Sequence, residues 1–363
     1  MPISRKLAIG LATAIALSAG SAGAQELRVA PAGPQPHPAY YMYERFAEFL
    51  EEESGGSMRA NILGTEVVAL PQIKDALQSD LIAIGNALPL YFAADFPRTG
   101  VAGDLALMGR SPHAMAFAMT EFGVNCAECQ EEFRRFGGVF LGAGASDIYA
   151  ILTTRPVRSL EDLQGLRLRS GGAPFSRWAE NFGATPVNMP VGETFEAMNQ
   201  GTIDGTIASI VDMLSFRLVD VATHVTAIPL GTYHVTSNFT VGTSTWAGMS
   251  VEERAVLLAA ANRGNPHLTD RWGFQLPEIA RNAVAAAGIE VIEPDAALLE
   301  ASDAFIVSDV AARTSADQLA ADFAVLVEKW TAIVDELGDD LEALSARAME
   351  EIWANVDLST YGL

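Results

Sequence analysis

The sequence predicts an α/β protein organised in two lobes. The chain has 363 residues, which is too long for one simple hydrophobic core and suits two. Near its start, a strand-like alternation at 26–30, a helical pattern at 39–53 and a second strand-like segment at 58–63 follow one another. A β-α-β succession of this kind predicts a parallel sheet with helices packed on its faces.

Two later segments resemble each other and support a second lobe. Residues 71–84 and 193–210 each have the pattern of a helix, a turn and a short apolar strand. Asn86 and Ser209 stand close to the carboxyl ends of these two strands. Open α/β sheets bind ligands at that end of their strands, so we expect both residues near a ligand site.

Capping signals mark further helices. Ser111-Pro112 predicts the start of one helix, and a capping box at 250–253 opens a helical stretch through Ala261. The segment 303–355 is largely helical by pattern, and one candidate core face carries Leu319, Phe323, Val327 and Trp330. The predicted elements are not separated by a low-complexity linker, which favours lobes joined by crossing strands over domains in tandem.

Residues 1–24 have the pattern of a cleavable signal peptide. A positively charged start precedes an apolar segment at 7–19, and residues 22–24 match a small-x-small cleavage site. We therefore expect a mature chain that begins at Gln25 and lies in the periplasm. An uncleaved membrane anchor is less favoured, because the apolar segment is short for a membrane span.

The chain is strongly acidic, with 45 Asp and Glu against 23 Lys and Arg and a net charge of −22. Cleavage would also remove Arg5 and Lys6 and change the net charge from −22 to −24. Such a charge argues against nucleic acid binding and against docking on an anionic membrane. If the ligand is itself an anion, a local and partly desolvated cation with fixed hydrogen bonds has to hold it.

Cys126 and Cys129 are the only cysteines. In an oxidising compartment their spacing predicts a local disulfide, and a thioredoxin-type redox pair is the alternative. The sequence contains no HExxH zinc motif, no GxSxG nucleophile elbow and no Walker loop, and its five histidines are scattered. We therefore expect no catalytic residue, no bound metal and no cofactor.

A short segment at 166–170 carries the most informative charges. Its two leucines alternate with Arg167 and Arg169, so in a strand the leucines face the core and the arginines share the opposite face. The alternation alone leaves two interpretations open, an exposed strand face or a cleft in which one arginine holds a carboxylate. Arginine suits the second role because its planar guanidinium makes two parallel charge-assisted hydrogen bonds.

Three neighbouring stretches, at 159–169, 182–190 and 193–205, follow the spacing of one protein family. They carry SLEDLQGLRLR, FGATPV before Met189-Pro190, and ETFEAMNQGTIDG. In this combination the chain resembles the solute receptors of TRAP (tripartite ATP-independent periplasmic) transporters, of the dicarboxylate-receptor-like family. The resemblance implies a type II-like periplasmic binding protein, with a hinge and a ligand cleft between two α/β lobes. It also implies that Arg169 pairs with the ligand carboxylate.

The resemblance extends to partners and domain organisation. It implies a small organic acid as ligand and the integral membrane subunits of a TRAP transporter as partners. We take a monomer as the default oligomeric state. We expect residues 25–150 and about 236–275 to form lobe I. Residues 151–235 and about 276–363 are expected to form lobe II and the C-terminal helices. The lobes should close around the ligand by hinge bending.

Two departures from the family pattern limit the chemical class of ligand that we expect. Sialic acid receptors of the family have a second cleft arginine where this chain has Tyr149, and many members have an asparagine where it has Ala208. The resemblance therefore implies few polar contacts, and we expect a monocarboxylate with an apolar or aromatic body. The candidate ligand-binding residues are Arg169, Asn86, Tyr149, Ser170, Phe175, Ala208, Ser209, Tyr233 and His234. The aromatic ones could equally belong to an ordinary core.

Two other functions stay open at this point. A receptor of an ATP-driven importer or of a sensor kinase would show the same patterns, and genomic neighbours would separate it from a TRAP receptor. A periplasmic redox protein could use Cys126 and Cys129, and a titration of free thiols would test that function.

Overall fold

The computed structural model describes residues 24–363. Apart from its last residue, Ala24, the predicted signal peptide lies outside this range. Within it, no helix is both long enough and apolar enough to cross a membrane. The described chain forms two β-sheets whose faces are covered by helices.

The two sheets divide the strands between two lobes. The first sheet has the order β2-β1-β3-β10-β4, and the second has the order β11-β9-β5-β8-β6-β7. The chain crosses from the first sheet to the second between β4 and β5, returns between β9 and β10, and crosses to the second sheet again between β10 and β11. The strands are β1 (Gln25–Ala30), β2 (Met58–Ile62), β3 (Ile84–Ala87), β4 (Gly138–Phe140), β5 (Ala150–Thr153), β6 (Arg167–Ser170), β7 (Thr185–Asn188), β8 (Gly205–Ala208), β9 (His224–Thr226), β10 (Ser237–Gly242) and β11 (Glu290–Ile292).

The helices pack on both sheets and complete the lobes. A π-helical turn at Arg271–Gln275 joins α10 to α11. The helices are α1 (Pro38–Glu53), α2 (Ile73–Gln78), α3 (Thr99–Gly103), α4 (Pro112–Asn125), α5 (Ala127–Phe136), α6 (Ala173–Asn181), α7 (Thr194–Asn199), α8 (Asp212–Ser215), α9 (Thr243–Gly248), α10 (Val251–Asp270), α11 (Leu276–Ala286), α12 (Ala296–Ala316), α13 (Gln318–Leu337) and α14 (Leu341–Ala348).

The predicted β-α-β opening is confirmed. Strand β1 pairs in parallel with β2, with Gln25 opposite Met58. Helix α1 packs its apolar face against the sheet and α10. Tyr43 and Phe46 on this face are fully buried. The 3.6-residue spacing of apolar residues in this segment therefore predicted correctly which face of α1 is buried.

The predicted capping box at the start of α10 is also confirmed. The Ser250 hydroxyl accepts a hydrogen bond from the Glu253 N–H at 3.2 Å, and the Glu253 carboxylate accepts one from the Ser250 N–H at 2.7 Å. The helix continues past the expected end at Ala261 to Asp270, and Pro266 lies inside it without ending it. Ser111 precedes α4 as predicted, although its side chain makes no capping hydrogen bond.

The C-terminal segment forms three helices, with interruptions at Asp317 and Gly338. Phe323, Val327 and Trp330 are buried as predicted, whereas Leu319 is only partly buried. Helix α13 packs along α4, and α14 packs against α10. We therefore propose that α13 and α14 belong with the first lobe, so that lobe II ends earlier than the sequence-based division places it.

Cys126 and Cys129 form the predicted disulfide at the junction of α4 and α5. Both cysteines are buried, and the Cys126 sulfur also accepts a hydrogen bond from the Cys129 N–H at 3.1 Å as the N-cap of α5. The bridge therefore belongs to the packed interior of the first lobe.

Arg177 connects the strand that carries Arg169 to the rest of the molecule. It lies on α6, directly after β6, and holds both carboxylate oxygens of Asp309 on α12 at 2.9 and 2.8 Å. Its third nitrogen donates to the Asp104 carboxylate of the first lobe at 2.8 Å. The Asp309 side chain is 7% exposed, and Arg177 makes its two short contacts, whereas Arg313 lies at 3.8 Å.

We expect Arg177→Met to lower the free energy of unfolding by about 3 kcal/mol, because it leaves the buried Asp309 carboxylate with only the longer contact to Arg313 at 3.8 Å. Urea denaturation followed by circular dichroism measures the change. Arg135→Met is the matched control, since the Arg135 side chain is 73% exposed and, within residues 24–363, pairs only with Glu131 on the same helix. Equal stability of the two variants would show that the Arg177 contacts do not hold the lobes together.

Candidate functional site

A cavity lined by both lobes lies between the two sheets. The space in it that is open to a water-sized molecule is about 30 Å³. At one side it meets a wider opening, with which it shares Ala32, Leu70, Val191 and Phe216. The lining residues are Ala32, His37, Ala39, Leu70, Asn86, Leu88, Tyr91, Tyr149, Arg169, Val191, Asp212, Phe216, Tyr233, Thr236, Leu268 and Trp272.

Arg169 places its guanidinium in this cavity. The side chain alternates with Leu168 along β6, and the residue is only 1% exposed. Its Nε donates to the backbone oxygen of Met189 at 3.1 Å, and Nη2 donates to the Tyr91 hydroxyl. Among residues 24–363, no hydrogen bond engages Nη1 and no carboxylate oxygen lies within 4.0 Å of the guanidinium. The cation therefore has only neutral partners.

Arg167, two residues earlier on the same strand, has the opposite environment. Its Nε and Nη2 form a fork on the Asp204 carboxylate at 3.0 and 2.8 Å, and its side chain is 43% exposed. The Arg167 charge is thus already paired at the surface. Of the two arginines that share a strand face, only Arg169 is available to an incoming anion.

Aromatic rings form one wall of the cavity. Tyr149 is stacked between Phe175 and Tyr233, with ring centroids 5.1 and 6.2 Å apart. Burial raises the pKa of both tyrosines well above the ordinary value, so their hydroxyls stay protonated. Within the described range the Tyr233 hydroxyl is buried without a hydrogen-bond partner. The position where sialic acid receptors have an arginine is therefore an aromatic surface here.

His37 and Trp272 line the cavity on the side of α1. The His37 Nδ1 accepts a hydrogen bond from the Ala39 N–H at 3.1 Å and so caps α1, which leaves the ring proton on Nε2. Its ring lies 5.1 Å from that of Trp272 and 5.6 Å from that of Phe216. Trp272 comes from the π-helical turn between α10 and α11, and in residues 24–363 its indole N–H finds no acceptor.

Asn86 lies at the end of β3, as the sequence predicted, and lines the cavity. Its Nδ2 donates to the backbone oxygen of Ser237 at 3.1 Å, and its Oδ1 accepts from the Ala32 N–H at 3.4 Å. The amide thus joins β3 to β10 and to the loop after β1. Asn86, Tyr149, Arg169 and Tyr233 are the predicted residues that the fold brings together.

Three predicted residues near β6 and β8 lie outside the cavity. Ser170 alternates away from Arg169, and its hydroxyl bonds to that of Ser176 at 2.6 Å. Ala208 packs in the second apolar cluster beneath β8, and the Ser209 hydroxyl accepts from the Val211 N–H at 3.0 Å. The period-two alternation of the strands and the tight turn before α8 turn these side chains away from the ligand space.

Phe175 and His234 are also core residues in this structure. Phe175 is fully buried behind Tyr149, so it supports the cavity wall without lining it. The His234 ring contacts the backbone oxygens of Ala102 and Thr232 at 3.1 and 3.2 Å and stacks on Phe323 at 5.1 Å. Both side chains therefore occupy core positions in this structure, which is the alternative that the sequence analysis left open for them.

Several lining residues were missed by the sequence analysis. They come from loops and helix ends, where no periodicity marks a functional side chain. Two carried a usable signal, because His37 lies in the Pro- and Gly-rich turn at the carboxyl end of β1 and Asp212 is a lone charge within an apolar run. The missed polar and aromatic residues are His37, Tyr91, Asp212, Phe216, Thr236 and Trp272.

The sequence matches the family model of DctP, the bacterial extracellular solute-binding proteins of family 7, over residues 30–311. The chain therefore belongs to this family, and the resemblance inferred from the sequence is confirmed. The family consists of extracellular solute receptors.

Curated relatives carry the same description at low identity. A solute-binding protein of Albidiferax ferrireducens is 33% identical over 79 residues, or 22% of this chain and 23% of the relative. One from Roseobacter denitrificans is 27% identical over 158 residues, or 42% and 46% of the two chains. The chain thus matches under half the length of these two relatives. The sialic acid-binding periplasmic protein of Vibrio cholerae is 22% identical over 70% of this chain and 79% of its own.

Solved structures share the fold over nearly their whole length. A TRAP solute-binding protein of Rhodoferax ferrireducens, in complex with benzoate, matches with a TM-score of 0.72 and 19% identity, covering 85% of this chain and 99% of the other. One from Bordetella bronchiseptica with bound mandelate has a TM-score of 0.71 and 22% identity, covering 86% and 99%. These similarities confirm the predicted two-lobed periplasmic-binding-protein fold.

We expect the rings of His37 and His234 to stay neutral from about pH 5.5 to 8, because burial lowers their pKa values to about 3 and about 4. A histidine whose pKa is lowered gains its proton only on acidification, so its NMR ring signals should not move in this range. A titration of either signal with a midpoint near 6.5 would show that the ring is open to solvent.

Proposed function

We propose that this protein is the extracytoplasmic receptor of a TRAP-type secondary transporter and that it captures a small organic acid by its carboxylate. The observation that carries the proposal is the Arg169 guanidinium, buried between the lobes with only neutral partners. A buried cation is costly unless an anion pairs with it, and a ligand carboxylate supplies that anion.

The surroundings of Arg169 favour a ligand with an aromatic or apolar body. Tyr149, Tyr233, Trp272 and Phe216 surround the cavity, and Leu70, Leu88, Val191 and Leu268 fill the spaces between them. Aromatic walls with a few fixed polar groups are typical of sites for small apolar ligands. The benzoate and mandelate complexes of structurally similar receptors support this class of ligand.

Closure of the lobes is the proposed working motion. The cavity takes Asn86 and Tyr91 from the first lobe and Arg169 and Asp212 from the second, so a ligand bound here contacts both. Binding energy from both sides favours the closed arrangement, and the closed surface is the one that the integral membrane subunits of the transporter would recognise. We further propose that the receptor acts in the periplasm as a monomer, after removal of residues 1–24.

Binding without catalysis is the role that these side chains support. The disulfide of Cys126 and Cys129 is buried in the first lobe, and neither cysteine lines the cavity, which disfavours a redox function. A receptor for an ATP-driven importer would be distinguished by its genomic neighbours, since the TRAP proposal requires genes for two integral membrane subunits.

We expect Arg169→Ala to weaken binding of an aromatic monocarboxylate such as benzoate or mandelate at least tenfold. The lost charge-assisted contact is worth about 1.5–3 kcal/mol. Isothermal titration calorimetry measures the affinity, after a thermal-shift screen of organic acids has selected the best ligand.

Arg167→Ala is the matched control for this experiment, because it removes the same charge from the same strand while the cavity stays intact. Its affinity for the selected acid should be unchanged. An Arg169→Ala protein that binds the acid as well as the wild type would reject Arg169 as the carboxylate partner.

A further inference from the structure

Asp212 lies in the same cavity as Arg169 and has no part in the capture of a carboxylate. It is the first residue of α8, directly behind the end of β8, and it is 2% exposed. Its Oδ1 is buried and, in the part of the chain that the structure describes, has no hydrogen-bond partner. The charge of Arg169 acts to lower the pKa of Asp212, but the two side chains are too far apart to form an ion pair. One oxygen of this carboxyl group is therefore free to contact a ligand.

The groups around Asp212 favour its neutral form. Burial raises the pKa of Asp212 to about 7, and Arg169 opposes this rise. Behind it, burial raises the pKa of Asp147 to about 8, and the Asp212 charge adds to that effect while Ser209 and Arg281 oppose it. Tyr149 also faces Asp212, and burial keeps its hydroxyl protonated. Two buried carboxyl groups that repel each other retain a proton near neutral pH.

A neutral carboxylic acid next to a cation selects a particular ligand. Its O–H donates and its second oxygen accepts, so it matches a ligand hydroxyl or N–H group in a way that an apolar side chain does not. Arg169 holds the ligand carboxylate in the same cavity, which fixes the ligand relative to Asp212. A ligand without the second polar group would leave the buried Oδ1 without a hydrogen-bond partner.

We propose that Asp212 is a second ligand-recognition residue, which hydrogen-bonds to a hydroxyl or N–H group of the organic acid held by Arg169. The receptor then prefers acids that carry such a group over otherwise identical acids that lack it. This inference rests on the proposed function, since it assumes that a carboxylate binds at Arg169.

The proposal has a pH signature. An anionic ligand is repelled by an ionised Asp212, so binding favours the protonated acid and raises its pKa further. Below about pH 7 the protonated form predominates and affinity is constant. As pH rises above that value, binding requires uptake of a proton, and affinity falls by up to about tenfold per pH unit. A receptor without this carboxyl group shows no such slope.

Phenylacetate and mandelate provide the test, because they differ only by one hydroxyl group. Calorimetry at about pH 6 and about pH 8 compares their affinities, with the two mandelate enantiomers measured separately. For the wild type we expect at least one enantiomer to bind about tenfold or more tightly than phenylacetate at the lower pH, and to weaken about tenfold at the higher pH.

Three variants isolate the role of Asp212. Asp212→Leu should lose both the hydroxyl preference and the pH dependence. Asp212→Asn, which keeps hydrogen-bonding groups but cannot ionise, should retain the preference and lose the pH dependence. Asp147→Asn is the control, since Asp147 is a buried carboxyl group outside the cavity, and it should retain the hydroxyl preference.

The results distinguish a failure of the inference about Asp212 from a failure of the proposed receptor function. Retention of the hydroxyl preference by Asp212→Leu overturns the inference, as does equal binding of the two acids by the wild type, although the carboxylate receptor then stands. Failure of the wild type to bind either acid refutes the aromatic-acid receptor itself. If Asp212→Leu fails to fold by thermal melting, the Asp212→Asn profile decides, and an unchanged pH slope overturns the inference.

Discussion

The rest of the structure depends on one buried positive charge that forms no ion pair among residues 24–363. The Arg169 guanidinium is held by the Met189 carbonyl and the Tyr91 hydroxyl, which satisfy two of its nitrogens without neutralising it. Removing such a cation from water is unfavourable, and an anion in the cavity offsets much of that cost. This local arrangement explains how a chain with a net charge of −22 can capture an anion. The long-range field opposes the ligand, whereas desolvated contacts at short range favour it.

The fold supplies this arrangement from distant parts of the chain. Arg169 stands at the end of β6 in the second sheet, Tyr91 follows β3 in the first, and Trp272 comes from the π-helical turn beyond α10. Arg177 on α6 ties the region behind Arg169 to Asp104 and to α12. The cavity therefore exists only when both lobes are in place, which is the arrangement that a closing receptor requires.

The sequence predicted most of the architecture because local rules determine it. Alternation located β6, and the capping box located α10. The same alternation turns the Ser170 side chain away from the cavity that its neighbour Arg169 faces. The pattern alone could therefore have removed Ser170 from the candidate ligand-binding residues. Arg169 itself was identified only through a family resemblance, since the pattern of Arg167 is identical.

Other parts of the site depend on tertiary packing and could not be predicted from the sequence. His234 has the composition of a ligand-binding residue, yet its position against Phe323 and Ala102 is set by α13, far along the chain. Tyr91 lies in a short, apolar 3₁₀ helix (Pro89–Phe92), in which nothing distinguishes it from a core residue. Ala208 and Ser209 were expected to contact the ligand. The residue that lines the cavity there is Asp212, about one turn further along the chain.

A crystal structure with an organic acid in the cavity tests the central claim most directly. The account predicts a ligand carboxylate oxygen at about 2.7–2.9 Å from a guanidinium nitrogen of Arg169, with the body of the ligand against Tyr149 and Tyr233. A ligand whose carboxylate lies elsewhere, while the guanidinium keeps only the Met189 carbonyl and the Tyr91 hydroxyl as partners, would contradict it.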